Sequence, residues 1–312
     1  MLFALGNKDL EELNKINTEI LKVFKQFSTV EIANVIMTKI NPEKKFLMAG
    51  SRYGATVETL RSANQVNSWC NVKTHGKIKK IIDNLDQLTK IILLNAVYFK
   101  GEWYKGFIKT QTQKKPFYNL NDKSKEKKVD TMFKIEQFKY YEDKELQIVE
   151  LPYKKDSMTA IIILPNEKKN INNFISELND EKLQNLLKRM RFHKVKLELP
   201  KFELEFSSDL NGFLNKLGMV EPFRQSADFS EMKKENDIYI SQVIQKTYLK
   251  VDEKGTEAAA VTAIRGTIKA GGIHRIPIIY PMIVNRPFIF LLRNKIMLQN
   301  YEMLFMAKIE KL

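Results

Sequence analysis

The chain has 312 residues, of which 44% are hydrophobic and 29% charged, enough for one or two domains with a large core. Its single cysteine, Cys70, excludes an internal disulfide and a cysteine-based metal site. No apolar run reaches the length that spans a bilayer, so we expect no membrane partner.

The formal net charge of +15 allows two interpretations. Dense lysine runs at Lys77–Lys80, Lys123–Lys128 and Lys188–Lys194 could bind a polyanion such as heparin. They could equally be an ordinary solvated surface. The runs lack the interleaved aromatic residues of a base-stacking platform, so we expect no nucleic-acid partner.

Helical periodicity dominates the first part of the chain. Apolar residues from Leu10 to Phe24 form one stripe, and Val66, Trp69 and Val72 form a second. The continuous apolar run Ile91–Tyr98 then predicts a strand that is buried on both faces.

Strands dominate the rest of the sequence. Val195, Leu197 and Leu199 alternate cleanly, and the apolar phase shifts by one residue after Pro200, which predicts a bend. The other predicted elements are strands at Leu146–Leu151, Met158–Leu164, Ile238–Ile244, Tyr248–Val251, Phe288–Leu292 and Met303–Ile309, and a short helix at Leu210–Leu217 closed by Gly218. Early helices followed by long strands indicate an α+β fold.

The run Glu253-Lys-Gly-Thr-Glu-Ala-Ala-Ala260 consists largely of small residues. Small side chains meet little steric resistance, so such a segment could enter a sheet as a new strand. The same letters also suit a helix start or a flexible linker. The run opens a long aperiodic stretch at residues 255–281, and a loop of that length is usually functional or disordered.

Motifs of catalysis are absent from the sequence. His75, His193 and His274 lack metal-ligand spacing, and there is no Gly-x-Ser-x-Gly or phosphate-binding loop. Cys70 lies beside Trp69 on a helical stripe, as a core thiol would. We therefore expect a binding or inhibitory protein without a cofactor rather than an enzyme.

Ordered sequence blocks along the whole chain resemble the serpin family of serine protease inhibitors. The blocks are Trp69 with Lys73–Ile78, Leu94–Trp103, Glu150–Tyr153, Ile163–Pro165, Leu199–Phe202, Leu217–Met219, Ala227–Ser230, Asn285–Phe290 and Leu304–Met306. The resemblance implies a single domain over residues 1–312, with three β-sheets, about eight helices and a reactive-centre loop within residues 255–281, held above a five-stranded sheet. Met1–Gly6 resembles the middle of the family's second helix, so the first helix and an adjoining strand are expected to be missing.

The resemblance also implies a mechanism. A target protease cleaves the loop, and the loop inserts into the sheet before the acyl-enzyme hydrolyses, so a metastable fold traps the protease as a covalent complex. The implied hinge is Glu253, Gly255, Thr256, Glu257, Ala258, Ala259 and Ala260. Its last three residues match the small-residue run that inhibitory members need.

The reactive bond has two candidates. Counting seventeen residues from Glu253 gives Lys269-Ala270, and counting back from Asn285 gives Arg275-Ile276. Lys269 is preferred because Arg275 would leave the tether about six residues, roughly 20 Å, too long. Either residue implies a trypsin-like protease, whose specificity pocket carries a carboxylate.

Two further groups of residues match the family's pattern. Asn95 matches the shutter, where the strands part, and Gln245 stands where a histidine is usual but can still bridge to Asn95. Trp103, Lys201 and Glu253 match the breach, where the loop first enters, and we expect Lys201 and Glu253 to lie within salt-bridge distance.

Other functions and the compartment stay open. A non-inhibitory serpin, acting as a carrier or chaperone, is one alternative, and a polyanion-binding protein is another. We expect a monomer that is able to form loop-sheet polymers. The chain would be secreted if a signal peptide has been removed and cytoplasmic otherwise, because Met1–Leu5 lacks the features of such a peptide.

Overall fold

A computed structural model describes residues 9–26, 29–119, 126–155, 157–234, 238–255, 278–297 and 300–312. The α-helices in these ranges are α1 (Leu10–Gln26), α2 (Lys44–Arg52), α3 (Ala63–Lys73), α4 (Ile171–Glu177), α5 (Asp180–Arg189) and α6 (Asn211–Lys216). The strands are β1 (Val30–Thr38), β2 (Ala55–Thr59), β3 (Ile91–Phe99), β4 (Gln113–Tyr118), β5 (Glu126–Glu142), β6 (Leu146–Pro152), β7 (Met158–Pro165), β8 (Arg191–Pro200), β9 (Phe202–Asp209), β10 (Ile240–Val251), β11 (Ile279–Ile283), β12 (Phe288–Met297) and β13 (Asn300–Ile309).

The chain divides into two compact units. One comprises Met1–Phe99 with Glu203–Leu249, and the other comprises Lys100–Phe202 with Lys250–Leu312. The single domain expected over residues 1–312 stays a prediction.

A five-stranded sheet has the strand order β2-β1-β3-β10-β9. β3 pairs antiparallel with β1 on one side and parallel with β10 on the other. In the β3–β10 register, Leu93 faces Val243 and Phe99 faces Leu249. The two predicted strands at Ile238–Ile244 and Tyr248–Val251 are thus parts of one continuous strand, β10. The polar residues between them, Gln245–Thr247, also pair with β3.

Helix α3 packs on one face of this sheet. Val66, Trp69 and Cys70 of the helix are buried against side chains of β3 such as Leu94. The prediction that Val72 belongs to this stripe was wrong, since its side chain is 69% exposed. At 100° per residue Val72 lies far around the helix from Val66, whereas Cys70 lies close to its direction.

The other strands form an eight-stranded sheet with the order β11-β8-β5-β6-β7-β12-β13, and β4 also pairs with β5. The fold is α+β, as predicted. The expected second and third sheets are joined in the described residues, because the long strand β5 pairs with β8 over Thr131–Tyr140 and with β6 over Lys139–Glu142. The described ranges hold six α-helices, fewer than the eight expected.

The bend predicted at Pro200 separates two strands. β8 ends at Pro200 and β9 begins at Phe202, so Lys201 lies between them. The predicted helix stop is also present, since Gly218 follows α6 with φ of +87°.

Candidate functional site

The carboxylate of Glu253 lies just after the end of β10 and is 6% exposed. Lys201 Nζ lies 3.1 Å from Glu253 Oε2, so the two residues are within the predicted salt-bridge distance. Thr112 Oγ1 donates a hydrogen bond of 2.8 Å to Glu253 Oε1. A buried carboxylate needs such partners, because an unpaired one costs several kcal/mol.

These partners keep Glu253 ionised. Burial alone would raise the pKa of this carboxyl, but the hydrogen bonds from Thr112 and from the residue's own backbone, together with Lys201, hold the pKa below its ordinary value. A carboxyl with a lowered folded-state pKa stabilises the fold fully above its unfolded pKa, and this stabilisation is lost as the pH falls through the folded value.

Trp103 holds the same stretch of chain from another side. Its side chain is 2% exposed, and its Nε1 donates a hydrogen bond of 2.9 Å to the Asp252 carbonyl oxygen. The indole ring stacks on Tyr153 with ring centroids 4.4 Å apart. We call Trp103, Thr112, Lys201 and Glu253 the breach cluster.

Main-chain bonds add to this anchoring. The Trp103 amide donates to the Lys254 carbonyl at 2.9 Å, and the Phe107 amide donates to the Glu253 carbonyl at 2.7 Å. A Cβ on Gly106 would come within 3.0 Å of the same Glu253 oxygen, so a side chain there would crowd the bond. Residues 252–254 are therefore held by main-chain bonds as well as by the side chains of the breach cluster.

Lys134 supports the segment that binds Glu253. Its Nζ donates to the carbonyl oxygens of Lys105 and Gly106 at 2.6 and 2.8 Å. Burial lowers the pKa of Lys134 to about 8; neighbouring Lys105 adds to this effect, and Glu136 opposes it.

Gly255 makes the closest backbone approach at this site. It has φ of +135° and pairs with Glu102 in an isolated antiparallel bridge. A Cβ at this position would lie 2.1 Å from the Gly101 carbonyl oxygen and 2.6 Å from the Trp103 nitrogen. Only glycine fits here, for reasons of both conformation and space.

The remaining loop residues named from the sequence lie outside the described residues. They are the hinge positions Thr256, Glu257, Ala258, Ala259 and Ala260, and the reactive-bond candidates Lys269, Ala270, Arg275 and Ile276.

A second polar group crosses the five-stranded sheet. Asn95 of β3 lies opposite Asn34 of β1 and Gln245 of β10. Gln245 Nε2 donates to Asn95 Oδ1 at 3.3 Å, and Asn95 Nδ2 donates to Asn34 Oδ1 at 2.8 Å. We call these three residues the shutter row. The bridging bond considered for Gln245 is present, and the row carries no titratable group.

Sequence reasoning missed Thr112 and Asn34. Thr112 is separated from Glu253 by 141 positions, and Asn34 from Asn95 by 61. Neither residue belongs to a local pattern, so only strand pairing and loop placement could have identified them.

The described residues contain no helix of sufficient length and apolar character to cross a membrane. Within the same ranges, no group of three or more His, Cys, Asp or Glu side chains is placed to hold a metal ion.

Comparison with known proteins identifies similar chains. A family model described as Serpin (serine protease inhibitor) matches residues 1–312. Iripin-5 of Ixodes ricinus is 35% identical over 234 residues, which cover 74% of this chain and 58% of that protein. Intracellular coagulation inhibitor 2 of Tachypleus tridentatus is 35% identical over 250 residues, which cover 79% of this chain and 59% of that protein. The chain therefore spans less than two thirds of the length of either relative.

A solved structure gives the same match. Serpin48 of the insect Tenebrio molitor superposes with a TM-score of 0.84 at 28% identity, over 99% of this chain and 84% of that chain. The similarity extends through both compact units.

Proposed function

Because this chain belongs to the serpin family, we propose that it inhibits a trypsin-like serine protease as a suicide substrate. In the proposed reaction the protease serine attacks the carbonyl carbon of Lys269, and the amine of Ala270 leaves with a proton. The resulting ester links the two proteins. The loop then enters the sheet before water can hydrolyse this ester.

The parallel pairing of β3 with β10 is the observation that carries the proposal. The chain leaves β10 at Val251 and reaches Gly255, so a segment that folds back between β3 and β10 runs antiparallel to both. One parallel ladder is then replaced by two antiparallel ladders, which bond slightly better per residue. Strand insertion thus supplies free energy for trapping the protease.

The breach cluster and the shutter row support this direction of entry. Glu253 and Gly255 are held at the end of β10 from which the segment would start, and the bond between Asn95 and Gln245 lies between the two strands that must part. The first barrier is then the release of the contacts around Glu253, and the second is the separation of two neutral amides.

The length of the segment supports cleavage after Lys269. Fourteen residues from Thr256 to Lys269 match the twelve residues of β10, with little slack. Cleavage after Arg275 would add six residues, roughly 20 Å of extended chain, and the protease would be held loosely.

Mixing the protein with trypsin tests inhibition directly. We expect an SDS-resistant band at the sum of the two masses. Ala259→Glu should abolish this band while loop cleavage continues, because a charge in the small-residue run opposes entry into the sheet. Ala259→Ser, which keeps the residue small, is the matched control and should retain the band.

Cleavage of the wild-type loop without any covalent band would contradict inhibition and support the non-inhibitory alternative.

The mass of the released C-terminal fragment identifies the reactive bond. We expect a fragment that begins at Ala270, because the hinge side of the loop has the length of the neighbouring strand. Mass spectrometry of the trypsin digest, at short times and limiting protease, measures this. A fragment beginning at Ile276 would rule out Lys269.

A further inference from the structure

The outer face of β5, β8 and β11 carries apolar side chains where a solvent-facing sheet normally carries polar ones. Directly paired residues share a face, and the register pairs Ile135 with Lys196 and Ile279 with Lys194. On this face the exposed fractions are 42% for Ile135, 69% for Phe192, 42% for Ile279 and 41% for Ile283. Single exposed apolar residues are normal, but a group of four on adjacent strands is typical of an interaction surface.

Two lysines on the same face lack a compensating charge. Lys115 pairs with Glu198 at 2.6 Å, and Lys139 pairs with Glu150 at 3.4 Å. Lys194 and Lys196 form no ion pair with any residue that the structure describes, although both are partly buried. The face therefore offers positive charge beside apolar surface. We call it the docking face and define it by Ile135, Phe192, Lys194, Lys196, Ile279 and Ile283.

The docking face is continuous along the chain with the loop that the protease is proposed to bind. β11 begins at Ile279, four residues after Arg275 and ten after Lys269. Ile278, which leads into β11, is 72% exposed. A protease bound to the intact loop, before cleavage, is thus kept within ten residues of this strand.

Charge argues against two other occupants of the docking face, a second copy of the chain and the chain's own loop. A second copy would bring like charge, because the chain carries a net charge of +15. The chain's own loop would do the same, since it carries Arg265, Lys269 and Arg275 without a balancing number of acidic residues. An acidic partner protein has the opposite charge, so it would be attracted to Lys194 and Lys196 rather than repelled.

We propose that the docking face is a second contact site for the target protease and selects one with an acidic, partly apolar surface beside its active site. This inference rests on the proposed inhibition. Lys194 and Lys196 would raise the rate of encounter, and Phe192 with the three isoleucines would slow dissociation.

Two trypsins with opposite surface charge provide the probes. An anionic and a cationic trypsin share the carboxylate-bearing specificity pocket, so a difference between them reports the surface. The variant Lys194→Glu/Lys196→Glu should inhibit the anionic enzyme about tenfold more slowly at low salt, and high salt should remove the difference. The cationic enzyme should be inhibited as fast as before or faster.

Matched controls separate the face from general charge. Lys144→Glu/Lys311→Glu makes the same charge change at two exposed lysines elsewhere and should leave both rates unchanged. Phe192→Ser should weaken binding to both enzymes at any salt concentration. Equal losses in the two double variants, or no loss in either, would overturn the proposal.

Binding to anionic trypsin with its catalytic serine replaced by alanine tests the face without the covalent step. We expect the dissociation constant to rise in Lys194→Glu/Lys196→Glu. If the inactive enzyme binds in this way but active trypsin forms no covalent band, the proposed inhibition fails and the docking face stands. Faster inhibition of the anionic enzyme by this variant, or a dimer in sedimentation that Phe192→Ser dissolves, would assign the face to the loop or to a second copy and refute a protease contact.

Discussion

Charge reversal by Lys201→Glu is expected to speed loop insertion and polymerisation by roughly 30-fold, the equivalent of about 2 kcal/mol. The substitution places a second carboxylate beside Glu253, which is 6% exposed and has Lys201 as its cationic partner at 3.1 Å. The repulsion is relieved when Glu253 leaves its site, so the substitution lowers the free energy of the inserted states relative to that of the native state. The loss of monomer on heating, followed by native gel electrophoresis, measures this rate.

Two companion variants test the cause. Lys201→Met removes the charge but keeps much of the apolar stem, and we expect a smaller acceleration. The swap Lys201→Glu/Glu253→Lys restores opposite charges and should recover part of the lost stability, although Thr112 then loses its acceptor. If Lys201→Glu polymerises at the wild-type rate, the breach cluster does not control loop entry.

Gly255→Ala is expected to destabilise the native state by about 3 kcal/mol, through strain at a positive φ and a clash with backbone atoms. The new Cβ would lie 2.1 Å from the Gly101 carbonyl oxygen. Because this oxygen belongs to the main chain, a side-chain rotation cannot move it out of the way. The bridge between Glu102 and Gly255 would have to open. Urea denaturation followed by the fluorescence of Trp103, in a Trp69→Phe background, measures the loss.

Gly212→Ala provides the matched control for this substitution. Gly212 lies in α6, and a Cβ there meets no atom within 4 Å. Alanine in a helix should leave stability unchanged or raise it by about 0.5–1 kcal/mol. Equal denaturation midpoints for Gly255→Ala and wild type would show that the segment after β10 adapts at no cost.

The sequence predicted those parts of the molecule that depend on local pattern or on ordered family blocks. Ile91–Tyr98 became β3 almost without change, and the pairing of Lys201 with Glu253 followed from their places in the blocks. The error at Val72 came from treating residues 66, 69 and 72 as one stripe. Residues six positions apart in a helix point in very different directions, so the side chain of Val72 does not face the sheet as that of Val66 does.

What could not be predicted depends on pairing between distant segments. Nothing near Thr112 in the sequence indicates that it contacts Glu253, and nothing near Asn34 indicates that it extends the shutter row. The joining of two expected sheets into one depends on the length over which β5 pairs with β8. The alternation of apolar residues along a strand does not indicate how far it pairs with another strand.

The position of Lys201 and Glu253 at strand ends has a consequence for how the five-stranded sheet divides. Lys201 immediately precedes β9, and Glu253 follows β10, so their ion pair joins two neighbouring strands at their ends. If the sheet opens between β3 and β10, these two strands move together as the smaller block. The hydrogen bonds from Trp103 and Thr112, which follow β3 in the chain, must break for this movement. The ion pair lies within the smaller block and breaks only when Glu253 itself leaves its site, so the two kinds of contact oppose two different movements.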